Sequence, residues 1–216
     1  FASDIPTRAA AVAEEIIAYE PHLVGLQESA VWTFGPMEVN FAQTIVAQLA
    51  ARGYQYQIVA VATGFDQSFG TVGLAMNDVI LARADLPDSK FSLANVQTGN
   101  YAAFLPLPSP IGTIVIPRQW ASVDVTLHGK SFRLISTHLE SYDGPPVGTN
   151  LRMAQALELL QIANASPSPV VLMGDLNAEL DTVGDASWFL TAQGGFADVW
   201  SNSQNDGPGF TCCQDP

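Results

Sequence analysis

Basic residues are scarce in this chain: eight lysines and arginines stand against 21 acids, a formal charge of -13 over 216 residues. Long-range attraction to nucleic acid is therefore weak, because a phosphate backbone rewards clustered cations. A bound divalent cation can reverse the potential locally, so the sign disfavours a polyanionic substrate without excluding one. Cysteine is scarcer still. Cys212 and Cys213 are adjacent, a spacing at which a mutual disulfide is strained, and two ligands are too few for a structural zinc site. No apolar run reaches the length of a membrane span, and the first residues show no charged-then-apolar signal pattern. The expectation is a chain with no transmembrane segment.

What is present is apolar. With 48% hydrophobic and only 13% charged residues, the chain can bury a sizeable core and is expected to form a single globular domain over residues 1–216. Asp4 and Pro6 open a helix over residues 6–19, whose stripe is Ala9, Val12, Ala13, Ile16 and Ile17. Residues 23–26 read as a short strand closing in Gln27-Glu28, and residues 39–51 as a second helix. The middle is rich in strands: residues 56–61, 72–76, 79–82, 120–127 and 132–138, with Gly129-Lys130 as a hairpin signal between the last two. Prolines crowd the span from Asp85 to Pro117, where residues 111–116 are the one strand candidate. A loop of Gly144, Pro145, Pro146 and Gly148 precedes a helix over 151–163, and a short helix over 186–191 precedes a strand over 196–200.

The stretch over residues 170–181, Val-Val-Leu-Met-Gly-Asp-Leu-Asn-Ala-Glu-Leu-Asp, carries the most chemistry. Four apolar residues make a buried strand, and Gly174 then permits a turn or a close approach just where Asp175 and Asn177 appear. Alternation along an extended chain points these two the same way while Leu176 faces the core, a spacing that suits a metal or phosphate site. Read plainly, it is also a strand followed by a polar turn. Residues 6–28 and 151–175 share one grammar of helix, proline, apolar strand and acid. If both strands point alike, Glu28 and Asp175 reach the same rim, where ligands of α/β folds bind.

Leu23-Val-Gly-Leu-Gln-Glu28, Ser136-Thr-His-Leu-Glu140 and Met173-Gly-Asp-Leu-Asn177, in this order, resemble the motifs of the endonuclease/exonuclease/phosphatase superfamily. The resemblance spans nearly the whole chain. It implies an α/β (α+β) fold, a four-layer α-β-β-α sandwich of two mixed sheets, here apparently lacking its first and last strands. It also implies a divalent-metal site at one rim, with Mg²⁺ (or Mn²⁺ or Ca²⁺) on Glu28. His138 matches the histidine that meets the scissile phosphate. Asp175 matches the aspartate that orients or deprotonates the attacking water, and Asn177 the amide that helps hold phosphate and metal. Arg118 resembles a position where some relatives present a cation to phosphate; its alternative is a surface arginine stacked on Trp120. Asn77 and Asp78 read as a turn, and Glu140 either tunes His138 or faces solvent.

The departures from the family pattern lie at the ends. An asparagine strand before the first helix and a terminal Asp with Ser-Asp-His, whose histidine is the general base, have no counterpart here; the histidines are His22, His128 and His138. The chain is therefore expected to be an internal fragment, weakly folded and weakly active when expressed alone. The function implied is hydrolysis of phosphoester bonds by in-line attack of water, as a phosphodiesterase, nuclease or phosphatase; the alternative is a degenerate member that binds a phosphorylated ligand or protein. Expected partners are a small phosphoester, a lipid head group or nucleic acid, with the protein a monomer. A secreted or extracytoplasmic location is expected from the resemblance and the start at Phe1. A serine hydrolase built on Ser136 and His138 fails on geometry, because residues two apart on a strand form no nucleophile elbow.

Overall fold

The computed structural model describes residues 4–110, 112–142, 150–180, 182–203 and 211. The 144–148 loop and the Cys212–Cys213 pair lie outside the described residues. In chain order the elements are α1 (Ile5–Tyr19), β1 (Leu23–Phe34), β2 (Met37–Asn40), α2 (Phe41–Ala50), β3 (Tyr56–Phe69), β4 (Val72–Arg83) and β5 (Phe91–Asn100). They continue with β6 (Leu105–Ser109), β7 (Gly112–Ile116), β8 (Gln119–Leu127), β9 (Lys130–His138), α3 (Leu151–Asn164), β10 (Val170–Asp175) and α4 (Ala186–Ala192). Among the described residues no helix is long and apolar enough to cross a membrane.

The layers follow from which side chains each element must hide. Asp4 caps α1 by accepting from the Thr7 N–H, and Asn40 caps α2 by accepting from Gln43 N–H at 3.1 Å. The stripes these caps set up, Ala9, Ala13 and Ile16 with Ala42, Ile45 and Leu49, pack on Tyr56, Val79 and Leu81. On β4 the intervening Ile80 and Ala82 point the other way, into a second cluster with Ala121, Val123, Val125 and Leu134. Ile135, next along β9, faces Ala156, Leu159 and Ala163 of α3 together with Phe189 and Leu190 of α4. Strands buried on both faces read as continuous apolar runs, as 79–82 does. Each fully buried Leu or Ile contributes roughly 1.5–3 kcal/mol.

The expectation of two mixed sheets needs correction. One four-stranded sheet, ordered β2-β1-β4-β3, is antiparallel throughout. The other, β10-β9-β8-β5, is mixed, with β10 parallel to β9 and the remaining pairs antiparallel. A separate two-stranded ribbon pairs β6 with β7. Pro106 and Pro108 in β6 cannot donate to a ladder, which suits a ribbon rather than a central strand. Four element readings also change. Residues 72–82 form one strand rather than two, β5 occupies part of the proline-crowded span, and β1 runs to Phe34. Residues 196–200 are not a strand; Asp198 accepts from Ser201 N–H at 2.7 Å, a local side-chain bond that competes with strand pairing.

Among the described residues, β10 has a ladder partner on one side only, and residues 23–30 of β1 pair only with β4. Val171 on β10 is 45% exposed although its strand reads as core. Open apolar edges of this kind are templates for further strand pairing.

Candidate active site

The two large sheets meet closely at one rim because the residues there are small. A side chain at Gly25 of β1 would lie 2.7 Å from Met173 Sδ and 2.8 Å from Ser136 Oγ of the facing sheet. Next to it, Gln27 Nε2 donates to Ser136 Oγ at 3.0 Å. Gly174 has φ of 140°, and a Cβ there would lie 1.9 Å from the Thr137 carbonyl oxygen. Its role is the close approach that brings the end of β10 onto the end of β9, where Asp175 pairs with His138 in register.

Glu28 does not close its strand. The β1–β4 ladder steps from Leu26 opposite Val79 to Ser29 opposite Asn77, so Gln27 and Glu28 bulge opposite the single residue Asp78. Glu28 carries φ of 52°, an uncommon conformation for a residue with a side chain. The bulge turns the Glu28 carboxylate into a cleft of about 280 Å³ that Arg118 and His138 also line. Bulges beside sites commonly re-aim a side chain in this way.

His138 is 4% exposed. Asn177, also at positive φ (48°), donates its Nδ2 to the Leu139 carbonyl at 2.9 Å and holds the same nitrogen 2.9 Å from His138 Nε2. Because the carbonyl can only accept, the amide nitrogen must face it, and a second N–H is directed at His138 Nε2, while Arg118 Nη1, which can only donate, faces Nδ1. Donors facing both ring nitrogens favour the uncharged imidazole. Burial, reinforced by the Arg118 charge, holds its pKa below the usual histidine value. Asp175 Oδ1 accepts from Asn177 N–H at 2.9 Å, and Asp175 Oδ2 lies 3.8 Å from His138 Nε2. Asp175, half exposed, is the accessible member of the three.

Arg118 is tied to Glu140 through two hydrogen bonds, Nε to Oε2 at 3.3 Å and Nη2 to Oε1 at 3.2 Å. Its Nη1 lies 3.3 Å from His138 Nδ1. Glu140 is 1% exposed, so it does not face solvent. Burial alone raises such a carboxyl, but the Arg118 guanidinium overrides this and holds it below its ordinary value. The five residues singled out, Glu28, Arg118, His138, Asp175 and Asn177, thus gather at one rim. Among the described residues, no three of His, Cys, Asp and Glu come together as a metal-binding group.

The reading of Asn77 and Asp78 as a turn is wrong: both are buried inside β4. Asn77 accepts from Thr63 Oγ1 at 2.7 Å and donates to the Ser29 carbonyl at 3.1 Å, stitching β3 and β1 to β4 beside the bulge. Asp78 is fully buried. Its polar neighbours are the Gln119 side chain and the Glu28 backbone N–H, yet neither carboxyl oxygen has a partner in full hydrogen-bond geometry. Burial raises its pKa to about 7, against the pull of Arg118. Arg152 of α3 also escaped the motif reading; it donates to the Asn177 carbonyl and pairs with Asp185 at 3.0 Å.

The sequence matches the model of the Endonuclease/Exonuclease/phosphatase family over residues 2–213. No curated protein matches it significantly. Among solved structures it is similar to the endonuclease/exonuclease/phosphatase from Bacteroides vulgatus, at 21% identity and TM-score 0.56, over 86% of this chain and 62% of that one. The family protein from Leptotrichia buccalis matches at 14% identity and TM-score 0.62, over 90% and 69%. The human Nocturnin catalytic domain with bound sulfate anion matches at 21% identity and TM-score 0.52, over 87% and 61%. At these identities the likeness is one of fold, and the chain spans about three fifths of the length of most of these structures. With the family model covering nearly all of its length, the chain belongs to the endonuclease/exonuclease/phosphatase family.

Proposed function

We propose that the protein hydrolyses phosphoester bonds by in-line attack of water, with Mg²⁺ held on Glu28 and the reacting phosphate between Glu28 and His138. The observation that carries this reading is the division of the cleft. The Glu28 carboxylate suits a hard cation, while the Arg118 guanidinium, with His138 beside it at 3.3 Å, lines the same cleft and suits an anionic oxygen.

The residues fit the cation. Mg²⁺ takes one or two carboxylates and keeps its remaining positions for water and substrate oxygens, so a cluster of three protein ligands is not required. When bound, it supplies charge neutralisation at the phosphate. Mn²⁺ or Ca²⁺ are its replacements. Arg118 is held in place by Glu140 and lines the cleft with His138 beside it. Asn177 orients the imidazole, and Asp175, accessible beside it, orients the attacking water and takes its proton.

The second reading, a member that binds a phosphorylated ligand without turning it over, has its own observation. His22 and His128 pack edge-to-face with each other, ring centroids 6.4 Å apart, at the far end of the sheets. Among the described residues no second imidazole stands at the rim. Turnover of bis(p-nitrophenyl) phosphate with Mg²⁺ and with EDTA separates the two. Metal-dependent hydrolysis that Glu28→Ala abolishes supports the enzyme; tight Mg²⁺-dependent phosphate binding without hydrolysis supports the binder; neither sinks both.

A further inference from the structure

We infer that the cleft selects phosphoesters whose alcohol part is apolar, such as an aryl group, over those of sugars and polyols. The inference rests on the proposed function and specifies its substrate.

The argument begins with a second bulge. The β3–β4 ladder steps from Thr63 opposite Asn77 to Asp66 opposite Ala75, so Gly64 and Phe65 bulge opposite Met76. Bulges on β1 and β3 therefore flank the same stretch of β4, and they turn Glu28 and Phe65 into one cleft. On β4, Ile80 and Ala82 face the inter-sheet core, and alternation places Met76 and Leu74 on that same inner side. The same alternation places the buried Asp78 between them, so the inner face of β4 passes from Ile80 and Ala82 through one carboxyl to Met76 and Leu74, which line the cleft where the β3–β4 hairpin extends past the site. Ile116 and Pro117, at the end of the ribbon, also line it.

The cleft thus has two chemistries in one volume of about 280 Å³. Its polar lining is Glu28, Arg118, Gln119 and His138; its apolar lining is Phe65, Leu74, Met76, Ile116 and Pro117. That volume accommodates a phosphate and about one ring, at the small end of ligand pockets. Against the five apolar residues a sugar or glycerol group would give up water for side chains that return no hydrogen bond, and Gln119, the one uncharged amide of the lining, is only 4% exposed; an apolar group gains by leaving water. Among the described lining residues Arg118 is the one cation, and Glu140 already engages it. A row of phosphates would therefore meet no row of charges, in keeping with a chain of net charge -13.

Calorimetry with phosphonates, whose carbon–phosphorus bond survives the proposed chemistry, tests this on the intact chain with Mg²⁺. The probes are phenylphosphonate, 2,3-dihydroxypropylphosphonate and inorganic phosphate. Phenylphosphonate is expected to bind roughly tenfold more tightly than the dihydroxypropyl compound. In the Phe65→Ala, Leu74→Ala double variant, shown by its thermal melt to be folded, the two affinities should converge. Equal affinities in the parent chain, or a preference that survives in the double variant, overturn the inference and leave the phosphoester reading standing if phosphate still binds. If no probe binds with Mg²⁺ present, both fall. Phenol binding as tightly as phenylphosphonate overturns the inference too, because the apolar wall would then act independently of the phosphate.

Discussion

The two ends of the strands are built by opposite rules. At the rim, polar groups are buried and backbone is strained: Asp78 and Glu140 are almost wholly enclosed, and Glu28 and Asn177 hold positive φ. At the other end, β8 and β9 join through a regular turn whose positive φ values fall on His128 and Gly129, and the ladder below it is unbroken from Trp120–Thr137 to Leu127–Lys130. There the ionic pair is exposed, Arg83 with Asp85. A residue held at positive φ inside a strand costs of order 1–3 kcal/mol, and an unpartnered buried carboxyl costs more than an exposed one. Positive φ also occurs away from the rim, at Glu20, Asn95 and His128, so the contrast rests on the buried carboxyls, Asp78 and Glu140, which are both at the rim. Folding alone gives no reason to enclose them there, and the proposed site does.

The largest way to break it is through activity. Asp175→Ala at the rim is expected to lower Mg²⁺-dependent turnover by about 10² to 10⁴ through loss of proton transfer, while His128→Ala at the far turn leaves turnover unchanged. Comparable losses from both, in folded proteins, would dissolve the distinction between the ends.

A smaller effect comes from two glycines. In Gly174→Ala the new methyl would sit 1.9 Å from the Thr137 carbonyl oxygen at φ of 140°, so the β9–β10 junction must open. The expected loss, by urea titration, is roughly 3 kcal/mol or more. Gly129→Ala, with φ of 77° and nothing within 4 Å of its added Cβ, meets only the left-handed penalty, roughly 1–2 kcal/mol. Equal costs would mean that the close approach at Gly174 yields easily and does not define the site.

Asp78 sharpens the comparison because its effect has the opposite sign. Its pKa rises from 3.8 to about 7 on burial, so between these values the folded protein binds a proton that the unfolded chain releases. Stability contributed by this group is present below pH 4 and is lost as pH rises to about 7. Asp78→Asn keeps the shape without the charge. In metal-free protein the variant should match the parent near pH 4 and exceed it by roughly 2–4 kcal/mol at pH 8, on the scale of 1.36 kcal/mol for each unit of pKa. A variant less stable than the parent at pH 8 would show that Asp78 is satisfied as a carboxylate.

What could be read in advance follows the range of the interactions. Asp175 and Asn177 were legible because an apolar run, a glycine and two polar residues are contiguous, and His138 because it ends a strand within Ser136-Thr-His-Leu-Glu140, which resembles a family motif. The two clustered helices at the start were legible from their stripes and caps. Asn77 and Asp78 misled because a polar pair between apolar runs imitates a turn. The true hairpin lies earlier, at Gly70, and the lack of glycine or proline at 77–78 was the available signal. Their burial depends on Thr63 and Ser29, 14 and 48 positions away, which no local pattern contains. Glu140 was ambiguous for the same reason, since its partner Arg118 lies 22 positions upstream. Bulges are harder still: whether Glu28 ends a strand or interrupts one depends on what pairs beyond it.

The smallest expected effect belongs to the far end, where Arg83 makes a two-point contact with Asp85, Nε to Oδ1 at 2.9 Å and Nη2 to Oδ2 at 2.6 Å. Its geometry resembles that of Arg118 with Glu140, but its setting does not: the Asp85 side chain is 38% exposed, against 2% for Glu140. Water and salt compensate an exposed carboxylate whose partner is lost, and Glu20 lies 3.5 Å from the same guanidinium as a substitute. Asp85→Ala should therefore cost only about 0.2–1 kcal/mol, and the difference should vanish in 1 M salt, where the screening length is about 3 Å. Glu140→Ala leaves the Arg118 charge largely buried without its partner, so its larger cost should persist in the same salt. A pair at Asp85 that resisted salt, or one at Glu140 that yielded to it, would place the two ends under one rule and remove the electrostatic part of the contrast.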